Sequence, residues 1–358
     1  MFPKNISALD HLRDNKMIAF KTESVAGKDV IIVSYMIGNK ELWDDPLARE
    51  CRGITFDAET GECICAPFEK FFNVGEREET QEHVLPWGNI KHVFEKRDGS
   101  MLTPVLINGK VFWKTKKSFY SDVALKAAEC ADDSLNTFVL EYLKVGITPI
   151  FEFTHPDHQI VLDYGRYPAF KLLALRSVVT GAYIEPYDGY GVQEFGGVSV
   201  DEIKYNIDHL TEFEGYVVQF ESGMRAKWKT KWYLEMHHMV TEVRERDIAD
   251  AVISETVDDI KSLASSKGKD ITVIEQIEDL VVSQLSDIEG KVYALVDKIK
   301  AEPTKKDAAL KYCRDTYFKD AVRATDGREP DFKGMWKKLY RDEFKLRTVF
   351  SNFSTRDE

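Results

Sequence analysis

Phe94-Glu95-Lys96-Arg97-Asp98-Gly99-Ser100 carries a Lys-x-Asp-Gly motif between a strand-like run and a hairpin. A lysine amine attacks phosphorus only as the neutral base, and its reference pKa of about 10.4 makes that form rare at neutral pH. Burial and neighbouring cations both disfavour the ammonium, so a nucleophilic lysine is expected among other Lys and Arg side chains. Gly99 lets the backbone turn closely behind it. Taken alone, the motif fits an exposed turn with a solvated lysine better than a reaction centre.

Its surroundings read as short strands with helices between them. Residues 101–107 and 111–113 flank Asn108-Gly109, a strong hairpin signal. Upstream, 30–35 and 54–56 are β-rich, with turn residues at 57–61; downstream, 150–153, 170–175 and 216–220 are further strands. The period over 121–143 predicts one helix. Glu152 lies between Phe151 and Phe153, and carboxylates are rarely buried without a partner. Glu214-Gly215 opens the strand at 216–220. In Lys227-Trp228-Lys229, strand alternation aims both ammoniums at one face. Two such cations are naturally explained by a phosphate between them; the plain alternative is a lysine-edged strand that blocks edge pairing.

In order and spacing, Lys96, Glu152, Glu214-Gly215 and Lys227-x-Lys229 resemble the covalent nucleotidyltransferases, which include DNA ligases, RNA ligases and capping guanylyltransferases. The resemblance extends over residues 30–235. Cys51-Arg52-Gly53-Ile54, Pro67-Phe68-Glu69-Lys70-Phe71-Phe72-Asn73, Trp113-Lys114-Thr115-Lys116 and Lys227-Trp228-Lys229-Thr230-Lys231-Trp232-Tyr233 narrow it to the phage RNA ligase 1 family.

That resemblance implies an adenylylated nucleophile at Lys96, with Glu152 on the ribose or the metal shell and Glu214 as a metal-linked carboxylate. Lys227 and Lys229 would contact the α-phosphate. Arg52, Lys70 and Lys116 match basic positions tied to triphosphate or RNA phosphates, and Tyr35, Phe72, Glu95, Asp98, Gly99 and Gly215 match other sensitive or nucleotide-binding positions. Asp258 and Asp259 match a paired aspartate, a candidate second metal contact, although the glycine expected three residues before them is Glu255. The resemblance also implies ATP and Mg2+ (or Mn2+), RNA as partner, and in that family tRNA nicked in the anticodon loop. A separate polynucleotide kinase/phosphatase would prepare the ends, and the location would be cytoplasmic, the host's if the chain is phage-encoded.

After Trp232 helical spacing takes over. Ile274, Ile277, Val281, Leu285, Ile288, Val292, Leu295 and Ile299 follow a three-or-four step, with a break expected at Gly290. Further helices are expected over 307–324 and from Phe332 onward. Helical spacing and the resemblance together imply an α+β fold: a ligase-type nucleotidyltransferase domain of antiparallel sheets with flanking helices over 1–240, then an all-α domain over 241–358 to which the resemblance gives tRNA or RNA binding. A DNA ligase or capping guanylyltransferase normally carries an OB-fold of short strands after the last lysine motif, which the helical period disfavours. A catalytically silent RNA-binding adaptor is disfavoured by the intact set of Lys and Glu.

Composition sets limits on these readings. The 358 residues suffice for two cores. A net charge of −12 argues against a generic nucleic-acid coat, yet residues 301–358 hold 14 Lys and Arg against 11 Asp and Glu, net +3. No apolar run approaches bilayer length, and the N-terminus lacks the form of a signal peptide. Five cysteines without a C-x-x-C pair predict reduced thiols rather than zinc. His155 with His158, and His237 with His238 opening a helix, lack a third ligand cluster. No P-loop motif is present.

Overall fold

The computed structural model describes residues 2–36, 41–158, 160–184, 190–238, 242–266, 270–344 and 348–351. They form two compact units, one from the described residues of 2–238 and the other from those of 242–351.

In the first unit, β1 (Ile18–Val25), β2 (Lys28–Tyr35), β3 (Arg52–Asp57) and β4 (Cys63–Cys65) make an antiparallel sheet in chain order. Then follow β5 (Phe72–Asn73), β6 (Ile90–Lys96), β7 (Ser100–Ile107), β8 (Lys110–Lys114), β9 (Ile147–Thr154), β10 (Ala169–Ser177), β11 (Tyr183–Ile184), β12 (Gly215–Phe220) and β13 (Arg225–Lys229). These interleave into two more sheets, ordered β11-β10-β9-β7-β8 and β5-β13-β12-β6. Every pairing in them is antiparallel except β5 with β13. The β7–β8 hairpin turns on Asn108 and Gly109, whose φ angles of 50° and 76° are the left-handed pair that Asn-Gly supplies.

The Lys-x-Asp-Gly motif marks the point where the chain leaves one sheet for the next. Lys96 ends β6 and Ser100 begins β7, so Arg97, Asp98 and Gly99 make the crossing. A Cβ on Gly99 would stand 2.5 Å from the Phe153 carbonyl oxygen; only glycine lets β7 start this close to β9. The segment 121–143 is two helices, Asp122–Cys130 and Asp133–Lys144, because Asp132 is extended and caps the second by accepting from Leu135 N at 2.8 Å. His237 and His238 end the helix Lys231–His238 rather than open one.

The second unit is built around the helix Thr272–Lys300, whose stripe from Ile274 to Ile299 is buried. Gly290 does not break it: one exposed helical glycine costs about 1 kcal/mol, which burial of Ile288 and Val292 on either side offsets. Helices Glu245–Ile253, Val257–Ser266, Lys305–Tyr312, Phe318–Thr325 and Phe332–Leu339 surround it. Trp336, fully buried, donates its Nε1–H to Gln284 Oε1 at 2.9 Å. The unit is not all-α, since Glu242–Arg244 pairs antiparallel with Thr348–Ser351. Among the described residues no helix is long and apolar enough to cross a membrane.

Glu255, where a glycine was expected, has a φ of 62°. It follows the helix Glu245–Ile253: Glu255 N donates to Val252 O at 3.1 Å and Thr256 N to Ala251 O at 2.9 Å, a Schellman ending. The left-handed backbone is kept although the residue that adopts it freely is not. Glu255→Gly is expected to raise stability by about 0.5–1 kcal/mol, after the loss of an exposed pair with Lys333. Thermal melting checks this.

Candidate active site

Register across the third sheet brings the motif lysines together. Gly215 on the central strand β12 faces Lys96 on β6 and Lys229 on β13; two residues along, Val217 faces Phe94 and Lys227. Glu214 immediately precedes Gly215 and is 2% exposed. Its Oε1 lies 2.6 Å from Lys96 Nζ and 3.4 Å from Lys229 Nζ. Lys96 thus has the expected cationic neighbour, but also a carboxylate in contact, which sequence reasoning did not foresee. In this arrangement the amine is engaged as an ion-pair donor, so it must be released before it can attack anything. Glu214 Oε2 is buried without a hydrogen-bond partner.

Beside this cluster, between the second and third sheets, lies a cavity of about 780 Å³. Of the residues singled out in the sequence, Arg52, Glu95, Lys96, Gly99, Glu152 and Lys227 line it. Arg52 Nη1 donates to the Glu69 carbonyl oxygen at 3.4 Å, and Arg97 Nη1 reaches Glu95 Oε1 at 3.3 Å. Glu152 stands on β9 between Met101 and Lys171. Burial pushes its carboxyl up to about 8; Lys96 opposes the shift, Glu214 adds to it, Arg52 opposes it and Asp98 adds to it.

Between the ordinary carboxyl value of 4.5 and about 8, the folded protein therefore holds a proton that the unfolded chain has lost. Stability of the nucleotide-free protein contributed by this group falls as pH rises through that window. Glu152→Gln is expected to flatten the decline. Melting temperatures from pH 5 to pH 9, in chelator, check it: wild type should lose more than the variant.

Asp98 supports the site from behind. Its Oδ2 accepts from the backbone N–H groups of Val161 and Leu162, both at 2.8 Å, and its Oδ1 accepts from the Tyr233 hydroxyl at 2.8 Å. Lys229 Nζ in turn lies 4.9 Å from the centre of the Tyr233 ring. One buried carboxylate thereby joins the motif, the 161–164 loop and the helix that follows β13.

Tyr35, Lys70, Lys116 and Phe72 lie outside the cavity lining. Lys116 Nζ sits 4.2 Å over the Tyr35 ring, which packs edge-on against Trp43. Lys70, 8% exposed, lies 3.5 Å from Glu76 and over the rings of Trp43 and Phe72. These cations are held by ring faces and a carboxylate rather than presented to the cavity. Asp258 and Asp259 belong to the second unit, in the first turn of Val257–Ser266, where acidic residues offset the helix dipole. No group of three or more potential metal ligands occurs among the described residues.

Sequence reasoning missed His92, Tyr183, Glu194, Gln219 and Arg225, all of which line the cavity. One further step of the alternation through Lys229 and Lys227 would have reached Arg225. Tyr183 and Glu194 carry no local signal.

The RNA ligase family model matches residues 50–236. A putative RNA ligase of Thermovibrio ammonificans is 30% identical over 84% of this chain and 83% of its own length. RNA ligase 1 of bacteriophage TS2126 is 25% identical over 79% of this chain and 76% of that one. Among solved structures, an archaeal ATP-dependent RNA ligase superposes with a TM-score of 0.46 at 15% identity, over 81% of this chain and 79% of that one. With a match across more than half its length and so similar a relative, this chain belongs to the RNA ligase family.

Proposed function

We propose that this RNA ligase uses ATP to join a 5′-phosphate and a 3′-hydroxyl of RNA through a covalent intermediate on Lys96. The observation that carries the reading is the Lys96–Glu214–Lys229 cluster beside the cavity. In the first step the Lys96 amine attacks the α-phosphorus of ATP, a P–N bond forms and pyrophosphate leaves. The amine must shed its proton first, and Glu214 Oε1 is the nearest acceptor. AMP then passes to the RNA 5′-phosphate, which restores the lysine. Finally the 3′-hydroxyl attacks that phosphate and AMP departs.

Charge on the non-bridging oxygens grows during each transfer, and fixed cations are worth most where water is excluded. Lys229, 12% exposed, and Lys227, on the cavity wall, stand on the strand face that would meet the α-phosphate. Glu152 and Glu214 fit a divalent cation such as Mg2+ or Mn2+. One is buried with its carboxyl far above the ordinary range, and the other has an oxygen without a hydrogen-bond donor. Magnesium takes one or two carboxylates and keeps its waters; bound there it would offset phosphate charge.

The proposed substrate is tRNA broken in the anticodon loop, with ends prepared by a separate kinase/phosphatase and with the helical unit engaging the tRNA body. The +3 balance of residues 301–358 in a chain of net charge −12 supports the last point. The test is ligation by the full chain of a tRNA nicked in the anticodon loop and of an unstructured RNA, with ATP or GTP. Sealing with ATP and preference for tRNA are expected. Sealing with GTP alone would contradict the nucleotide, and equal rates on both RNAs would contradict the substrate.

A further inference from the structure

Strand alternation does not stop at the two lysines. Arg225 lies on the same face of β13 as Lys227 and Lys229, opposite Gln219 as Lys229 is opposite Gly215. Four residues at about 3.3 Å each place it roughly 13 Å along the strand from Lys229. Its side chain is 5% exposed yet lines the cavity. The guanidinium is clamped: its carbon lies 3.8 Å from the centre of the Tyr183 ring and 5.3 Å from that of Phe68, and Nη2 donates to Gln219 Oε1 at 3.2 Å. Nη1 is 3.7 Å from Glu69 Oε1, too long for a hydrogen bond, and has no hydrogen-bond partner. Buried donors without acceptors are rare, and this one belongs to a rigidly held cation at the cavity wall.

The position along the strand says what would meet it. The reacting phosphate belongs at the level of Lys96 and Lys229, so the nucleoside must extend away from that level into the cavity. There the walls include Phe94, Leu173, Val192 and Val217, apolar surfaces suited to a flat base. A guanidinium has only donors, and the acceptors on adenine are its ring nitrogens. We propose that Arg225 is a base-recognition residue: its guanidinium donates a hydrogen bond to a ring nitrogen of the adenine of bound ATP. The proposal rests on the reading that the cavity takes ATP.

The test uses the full chain and three analogues, 1-deaza-, 3-deaza- and 7-deaza-ATP, each replacing one ring nitrogen by C–H. Wild type should show a KM for lysyl-AMP formation raised about tenfold with one analogue, as expected for one charge-assisted hydrogen bond, with kcat little changed. In Arg225→Met that analogue and ATP should become equivalent, because the donor is gone. A merely structural arginine would weaken ATP and all three analogues alike. Should Arg225→Met fail to fold, Arg225→Lys keeps a cation near Glu69 while moving the donor, and the same equivalence is expected. Three analogues as good as ATP in wild type, or a penalty that survives the substitution, would overturn the proposal. Failure to label with ATP itself would instead sink the reading of the cavity as an ATP site.

Discussion

Lys96→Ala is expected to abolish retention of AMP by the denatured protein, a fall of about 10⁴-fold or more because the bond-forming atom is gone. The fold should survive. Glu214 keeps Lys229 at 3.4 Å when Lys96 is removed, so its buried carboxylate is not stripped of all positive charge, the situation that makes broken buried pairs costly. Lys96 is itself 19% exposed and fills no core space. Melting should therefore shift by no more than a few degrees, about 1 kcal/mol or less. Lys96→Arg makes the same point more sharply. Arginine keeps the charge opposite Glu214 but is not deprotonated in proteins, so it should bind nucleotide and still carry no AMP. Protein denatured in alkaline detergent and counted after incubation with α-labelled ATP checks both variants.

Gly215→Ala is expected to be severely damaging for the addition of one methyl. A Cβ there would stand 2.1 Å from the Trp228 carbonyl oxygen and 2.7 Å from Lys229 Cα, and its φ of 149° is one that side-chain-bearing residues rarely adopt. The atoms it would meet are backbone, so no rotamer change relieves the clash; β12 and β13 must separate. Overpacking and backbone strain together suggest a loss of about 3–5 kcal/mol. The same separation moves Lys229 away from Glu214 and Lys96, so adenylylation should fall even in whatever fraction folds. Denaturant unfolding gives the first number and labelling per folded molecule the second. Gly109→Ala is a suitable contrast: it also has positive φ, but nothing lies within 4 Å of its Cβ position, so it should be milder and leave labelling intact.

What the sequence disclosed is what periodicity and turn chemistry encode locally. The strands around Lys96, the Asn108-Gly109 hairpin and the shared face of Lys227 and Lys229 all appear as read, because each depends on neighbours within a few residues. The division of 121–143 into two helices was also local, in the capping side chain of Asp132, but the apolar period masked it. Contacts between distant segments were not legible. Nothing near Lys96 announces that Glu214 will sit 2.6 Å away; that follows from β6 and β12 pairing in one register. Nothing near Lys70 announces the ring of Trp43, which with the local Phe72 ring and Glu76 holds its amine. The ribbon joining 242–244 to 348–351 was missed because two short strands a hundred residues apart carry too little pattern to stand out from helical neighbours.

The central claim is that one amine, presently paired with a buried glutamate, carries AMP between ATP and RNA. Peptide mapping of the ATP-treated protein tests it most directly, with digestion kept alkaline because a phosphorus–nitrogen bond is labile to acid. The adduct should fall on the peptide containing Lys96, at that residue, and should disappear when 5′-phosphorylated RNA is added. An adduct on Lys227 or Lys229, or RNA joined with no lysine ever carrying AMP, would contradict the account.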